Sequence, residues 1–165
     1  MPNWCLNRLT VEHEDGSKVD EFLEAYRKSE TCEHYLPTPR DENGEFIDGG
    51  NQDEEGNFKM PDWYTWRLNN WGTKWDIGCL NADGGSEPTR VGNQLSMRFD
   101  SAWSPPLGLY ERLVALGFDV KGSYFEPGMQ FAGTWINNED NFYEGEQRSD
   151  FPADLVEAFD IGAYN

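Results

Sequence analysis

Positive charge is what this chain of 165 residues has least of: 13 Lys and Arg stand against 31 Asp and Glu, for a formal net charge of −18 and a pI near 4.2. That deficit excludes a phosphate-binding surface built from bulk positive charge, and it excludes attraction to anionic lipid. Cysteine is scarce too. Cys5, Cys32 and Cys79 are odd in number, widely spaced and without a C-x-x-C pair, which fits a reducing cytosol better than a disulfide framework. Long apolar runs are absent, none approaching the roughly 18–20 residues that span a bilayer. Met1-Pro2-Asn3-Trp4-Cys5 has neither a charged n-region nor an apolar h-region, so no signal peptide is expected. What the chain has in quantity is aromatic surface. Ten Phe, seven Tyr and seven Trp make up 15% of it, which argues for a packed core and against the disorder that its polarity otherwise suggests.

The charge is unevenly spread. Residues 12–62 carry a net −11 and residues 138–165 a net −7, whereas residues 63–137 carry only −1 and residues 1–11 carry +1. An N-terminal stretch and the tail therefore hold the acids. Solubility alone accounts for such acids in an aromatic-rich domain. A complementary basic partner, steered by the field, accounts for them as well.

Cys5–Glu12 alternates apolar and polar residues and predicts a first strand. Asp15-Gly16-Ser17 offers cap chemistry before a helix through Lys28, with Val19, Phe22, Leu23 and Tyr26 on its apolar face. Periodicity is lost from Ser29 to Asp62, and Asp41–Gly56 alone holds four Gly and seven acids. A stretch of this length without pattern signals a functional loop or disorder. A short helix is expected over Asp62–Asn70, then a strand running from the Trp71–Asp76 phrase to Ala82, and a turn at 82–86. Gln94–Ser101 is the clearest half-buried strand. Ser104-Pro105-Pro106 predicts a helix to Leu116 with Leu109, Leu113 and Leu116 on one face. Strands at Phe118–Phe125 and Gln130–Asn137 form a hairpin, and a last helix over Pro152–Phe159 follows an Asp150 cap. No internal repeat is evident.

This order predicts an α+β fold of the ferredoxin-like, split βαβ kind: an antiparallel sheet with two helices on one face, forming a single domain over 1–165. An acidic insertion (about 40–62) follows the first helix, and an acidic tail (about 138–165) follows an extra C-terminal hairpin strand and carries the last helix. Four phrases carry a further resemblance: Met1-Pro2-Asn3-Trp4-Cys5-x-Asn7-x-Leu9, Trp71-Gly72-Thr73-Lys74-Trp75-Asp76, Ala102-Trp103-Ser104-Pro105-Pro106, and Glu126-x-Gly128-x-x-Phe131-x-Gly133. Together they resemble the YubB-like family of plasmid and phage proteins, over most of residues 1–137. The resemblance implies a ferredoxin-like domain and a phage or plasmid habitat, and it brings no known function. The insertion and the tail lie outside it.

Chemistry finds little support in the sequence. Three scattered cysteines cannot ligate an iron–sulfur cluster. Cys32-x-His34 is at most half of a zinc site, which Cys5, Cys79 or His13 would have to complete. Residues Asn51–Asp62 have the spacing of an EF-hand loop but place Asn at position one, Lys59 at nine and Pro61 at eleven. There is no G-x-S-x-G, and Gly84-Gly85 lacks the Lys of a phosphate loop. No cofactor, metal or catalytic residue is expected. Trp4, Trp71, Trp75, Trp103 and Trp135 lie near expected strand ends. They read first as packing anchors and second as a stacking platform for single-stranded nucleic acid, with Lys74, Arg98 and Arg8 as the only nearby cations.

The leading expectation is a non-catalytic inhibitor, made in the cytoplasm of a bacterial host. Its acids would copy nucleic-acid charge and occupy the basic groove of a defence complex, a CRISPR effector or a restriction enzyme. The expected contact residues are Asp41, Glu42, Glu45, Asp48, Asp53, Glu54 and Glu55, then Glu139, Asp140, Glu144 and Glu146. The partner is a host nucleic-acid-binding protein, with no direct nucleic acid and no membrane. The alternatives are a general interaction module using an aromatic surface (Trp4, Trp71, Lys74, Trp75, Trp103), or a single-strand binder using the Trp platform.

Overall fold

The strands of this chain find partners far away in sequence, and the register between them decides which side chains become core. The computed structural model describes residues 2–48, 52–57, 61–80 and 86–162. Its elements are β1 (Trp4–Glu12), α1 (Gly16–Arg27), α2 (Thr31–Tyr35), α3 (Trp63–Asn70), β2 (Thr89–Val91), β3 (Gln94–Ala102), α4 (Leu107–Ala115), β4 (Asp119–Glu126), β5 (Phe131–Ile136), β6 (Glu139–Glu144) and α5 (Ala153–Phe159). The sheet runs β2-β3-β1-β4-β5-β6, with every neighbouring pair antiparallel. The first four strands and α1 and α4 reproduce the split βαβ order, and the insertion follows α1 as expected.

Two apolar layers cover the two faces. Cys5, Leu9 and Val11 of β1 stand beside Leu95, Met97 and Phe99 of β3 and Val120 of β4, under Val19, Phe22, Leu23 and Tyr26 of α1 and Leu109, Tyr110 and Leu113 of α4. On the opposite face Leu6, Phe125 and Ala132 meet Phe151, Leu155, Val156 and Phe159 of the C-terminal segment. The period-2 pattern of a strand makes both layers possible, because alternate residues point to alternate faces.

The connector from Trp71 to Leu80 corrects the expected strand. It is a chain of turns and bends that pairs with no strand, and its side chains bond backbone elsewhere. Thr73 Oγ1 donates to Ala102 O at 2.9 Å, and Asp76 accepts from Cys32 N at 2.6 Å and Glu33 N at 3.0 Å. Asp76 thus caps the first turn of α2 from 44 residues away. The sheet position falls instead to the three residues of β2. The turn expected at 82–86 lies outside the described residues, apart from Ser86.

Smaller differences share a cause: side chains choose tertiary partners over local ones. Ser104 does not cap α4; its hydroxyl donates to Gly72 O, and Pro106 occupies the cap position. Asp150 accepts from Gln147 N at 2.9 Å and closes a 3-10 turn, leaving Pro152 to precede α5. Leu116 lies outside the core, 39% exposed. Both α2 and β6 went unexpected, being short or, in Glu-Asp-Asn-Phe-Tyr-Glu, mostly polar with one aromatic ring on each face, as suits an edge strand.

Gly108 marks where α3 and α4 are pressed together. A Cβ there would sit 1.8 Å from the Asn70 carbonyl oxygen, while its own N–H donates to Trp71 O at 3.0 Å. In an isolated helix Ala would be favoured over Gly by about 1 kcal/mol. Gly108→Ala is nonetheless expected to destabilise the protein by about 2–3 kcal/mol, as overpacking against backbone does, and the urea unfolding midpoint checks it.

Candidate aromatic and acidic surface

The insertion is anchored by one cation. Arg67 leaves α3 one turn after its Asp62 cap and is 8% exposed. Its guanidinium carbon lies 4.4 Å from the Trp71 ring centre, 5.0 Å from Phe46 and 5.1 Å from Trp63. Its Nε donates to Thr38 Oγ1 at 3.1 Å and Nη1 to Lys74 O at 3.3 Å. Glu33 stands 3.9 Å from Nη2 and accepts from Thr38 N and Oγ1. Burial pushes the guanidinium's pKa down, against the carboxylates of Glu33 and Asp76. Arg40 lies over the other part of this cluster, 4.1 Å from the Phe46 ring centre. Trp63 N donates to Ile47 O at 2.8 Å and ties the insertion to α3.

Outward from Arg67 the aromatics reach solvent. Trp63 and Trp75 stack at 5.8 Å, and Tyr64 meets Trp103 edge-on at 6.0 Å. Lys74 Nζ sits among them, 4.7 Å from Trp75 and 5.5 Å from both Tyr64 and Trp103. Trp75 is 42% and Trp103 36% exposed. Trp103 holds a left-handed backbone, φ 68°, with its N–H donating to Asn3 O at 2.8 Å. For a bulky residue that conformation costs about 1–3 kcal/mol and is found where a side chain must be aimed.

Of the expected aromatic residues, Trp75, Trp103 and Lys74 therefore come together. Trp4, 37% exposed, lies at the same sheet end, opposite Ala102. Trp71 does not belong to this surface: it is fully buried, its indole N–H donating to Leu36 O at 2.8 Å. Trp135 is core as well, against Tyr110. Sequence reasoning missed Trp63, Tyr64 and Arg67 as parts of the cluster. The one signal was an arginine in the aromatic-rich run Trp63-Tyr64-Thr65-Trp66-Arg67.

The acidic insertion contains a repeat. Asp41-Glu42-Asn43-Gly44-Glu45-Phe46 and Asp53-Glu54-Glu55-Gly56-Asn57-Phe58 share a pattern twelve residues apart, correcting the expectation of none. Asp41 Oδ1 accepts from Asn43 N and Glu45 N, and Asp53 Oδ1 accepts from Glu55 N and Asn57 N. Asp41 N donates to Glu45 O and Asp53 N to Asn57 O, with Gly44 and Gly56 at φ 79° and 86°. Two aspartates thus hold their own turns, and Glu42, Glu54 and Glu55 project from the tips. Glu45 and Asp48 are exposed on the strands of chain beside Phe46 and Ile47.

The second acidic group is on a different element. Glu139, Asp140 and Glu144 belong to β6, the outer edge of the sheet, with Glu146 just after it. Asp140 accepts from Tyr124 Oη at 2.7 Å. Among the described residues no hydrogen bond or ring contact joins this edge to the insertion.

The remaining candidates separate. Cys32 is buried and His34 is exposed, its Nε2 2.9 Å from Glu21 Oε1. Among the described residues no group of three His, Cys, Asp or Glu side chains is placed to hold a metal. Asn51, Phe58 and Lys59 of the EF-hand-like spacing lie outside the described residues. Burial pushes the thiols of Cys5 and Cys32 well up, and that of Cys79 up as well, which is the reverse of an activated nucleophile. No helix among the described residues is long and apolar enough to cross a membrane.

No protein family, curated protein or solved structure matches the chain.

Arg67→Ala is expected to destabilise the fold by about 3 kcal/mol and to red-shift tryptophan emission; Arg67→Lys does not restore it, because an ammonium lacks the planar stack. Urea titration followed by fluorescence reads both. A thiol reagent applied to the folded protein is expected to label Cys79 alone, with Cys5 and Cys32 reacting only after denaturation, as mass spectrometry of the labelled peptides will show.

Proposed function

We propose that this chain works by binding rather than by catalysis, and that its partner is a nucleic-acid-binding protein with a basic groove. The observation that carries this reading is the cluster of half-buried Trp63 and Tyr64 with exposed Trp75 and Trp103 around Lys74, beside an insertion whose turn tips present Glu42, Glu54 and Glu55. Exposed aromatics at the centre and charge at the rim is the composition of a recognition surface. The acids steer a basic partner into place and select it, and the rings supply the lifetime of the complex.

Phage or plasmid origin, which rests on the resemblance to the YubB-like family, makes that partner a host defence complex in the bacterial cytoplasm, a CRISPR effector or a restriction enzyme. Carboxylates on the turn tips then occupy positions that phosphates take in its groove and offer no bond to cleave. Asp41 and Asp53 act indirectly, by shaping the turns. Glu139, Asp140, Glu144 and Glu146 form a second acidic strip on β6.

A second reading, an aromatic interaction module indifferent to the acids, is favoured by the strained Trp103. Salt separates the two, since attraction between exposed charges more than about 8 Å apart is largely screened at physiological ionic strength, whereas ring packing is not. Tagged protein is incubated with nuclease-treated bacterial lysate and the captured partner is then challenged. Under the mimicry reading, DNA or heparin displaces the partner, and the triple reversal Glu42→Lys, Glu54→Lys, Glu55→Lys weakens capture at least tenfold. Trp75→Ala weakens it by about thirtyfold, the size of a hot-spot loss. A partner held equally by the charge-reversed protein, and indifferent to DNA, would sink mimicry and leave the aromatic module.

A further inference from the structure

The face of the sheet opposite α1 and α4 carries a pair of cations that the acidic surface reading does not use. Arg8 of β1 and Arg98 of β3 are direct cross-strand partners, so both side chains leave the sheet on the same face. Like charges directly opposite one another are destabilising in a sheet. Among the described residues neither arginine forms an ion pair, in a chain with 31 carboxylates to choose from. Arg8 instead lies 5.6 Å from the Phe159 ring centre, where α5 ends.

The pair lines a groove of about 370 Å³. Thr10 and Ser96, themselves cross-strand partners with hydroxyls 3.4 Å apart, form the next rung, and Thr89 of β2 and Ser86 complete the wall. Lys121 of β4 is the register partner of Thr10 and projects from the same face. Glu87 also borders the groove, but its carboxylate is committed to Arg27 and accepts from Cys79 Sγ at 3.7 Å. Asp100, two residues beyond Arg98 on the same face, opposes Leu6. Repulsion between the arginines also acts to lower the Arg8 pKa, second to burial.

We infer that the Arg8–Arg98 pair is a binding site for a small phosphate-bearing molecule, with the guanidiniums bracketing the phosphate oxygens and the Thr10 and Ser96 hydroxyls donating from the next rung. Two adjacent guanidinium forks match a tetrahedral dianion bidentately and lose their mutual repulsion when it arrives. The groove's size fits a phosphate monoester. A net charge of −18 repels a polynucleotide, so the ligand is a small molecule and not a strand.

Thermal midpoints of the full chain, measured in inorganic phosphate and in sodium chloride of equal ionic strength, test the inference. At roughly ten times the dissociation constant, phosphate is expected to raise the midpoint by about 3–5 °C over chloride. Arg98→Gln is expected to fold with an unchanged or higher midpoint in chloride and to lose the phosphate shift; Arg8→Gln loses it too, and Arg112→Gln, on the exposed side of α4, keeps it. Adenosine 5′-monophosphate distinguishes the source: binding tenfold tighter than phosphate identifies a monoester ligand, and equal or weaker binding identifies free phosphate. Equal stabilisation by phosphate and chloride overturns the site, as does a phosphate shift that survives both arginine substitutions. Tighter binding of a single-stranded oligonucleotide than of either probe overturns the assignment of a small ligand.

Discussion

Arg67 is a permanently charged group placed among three aromatic rings, and the organisation of the N-terminal half depends on it. A guanidinium can lose most of its water there because ring faces are electrostatically negative and because Thr38, Lys74 O and Glu33 accept or balance what remains. Each ring comes from a different place: Phe46 from the insertion, Trp63 from the start of α3, Trp71 from the core beneath. One side chain therefore fastens a polar, glycine-rich excursion to a helix and the helix to the sheet. Without that anchor the insertion has only Ile47 as a buried apolar residue among its described positions, too little to offset the entropy of ordering so many residues.

The same arrangement explains why aromatic surface is exposed beside it. With Arg67 and Trp71 filling the interior, Trp63 and Trp75 stack one layer further out, and Lys74 and Trp103 extend the layer to solvent. The cluster is graded from buried to exposed. A surface of this kind is held rigid from below, which lowers the entropy lost when a partner covers it. The Trp71–Asp76 phrase does several separate jobs in six residues: core ring, tight backbone passage under Leu107, bond to β3, cation among rings, exposed ring, and cap of α2. That density explains why the phrase stands out from composition although it is not a strand.

The charge has a structural division as well. Asp41, Asp53, Asp76 and Glu126 spend their carboxylates on backbone N–H groups, Glu126 bonding Gly128 N at 2.6 Å and Met129 N at 2.8 Å to close the β4–β5 turn. The glutamates at the turn tips and along β6 have no such task. Negative charge on an edge strand also discourages pairing with another chain, so the β6 acids have a use before any partner is considered.

The sequence by itself determined the order of the strands and helices other than α2, β2 and β6, the position of the insertion and the division of charge. Those follow from local properties: period-2 and period-3.6 patterning, Asp caps and glycine or proline punctuation act over a few residues and read directly. The tertiary structure decided which aromatics are core and which are surface. Trp71 and Trp75 stand four residues apart in one phrase, yet one is fully buried and the other exposed, because only the docking of α3 on α4 at Gly108 and the convergence on Arg67 separate them. It also put a bonded connector at Trp71–Leu80, where a strand ending near Ala82 was expected, and paired Arg8 with Arg98 across 90 residues. Register and side-chain partners at long range are set by the packing of the whole chain, and no local pattern records them.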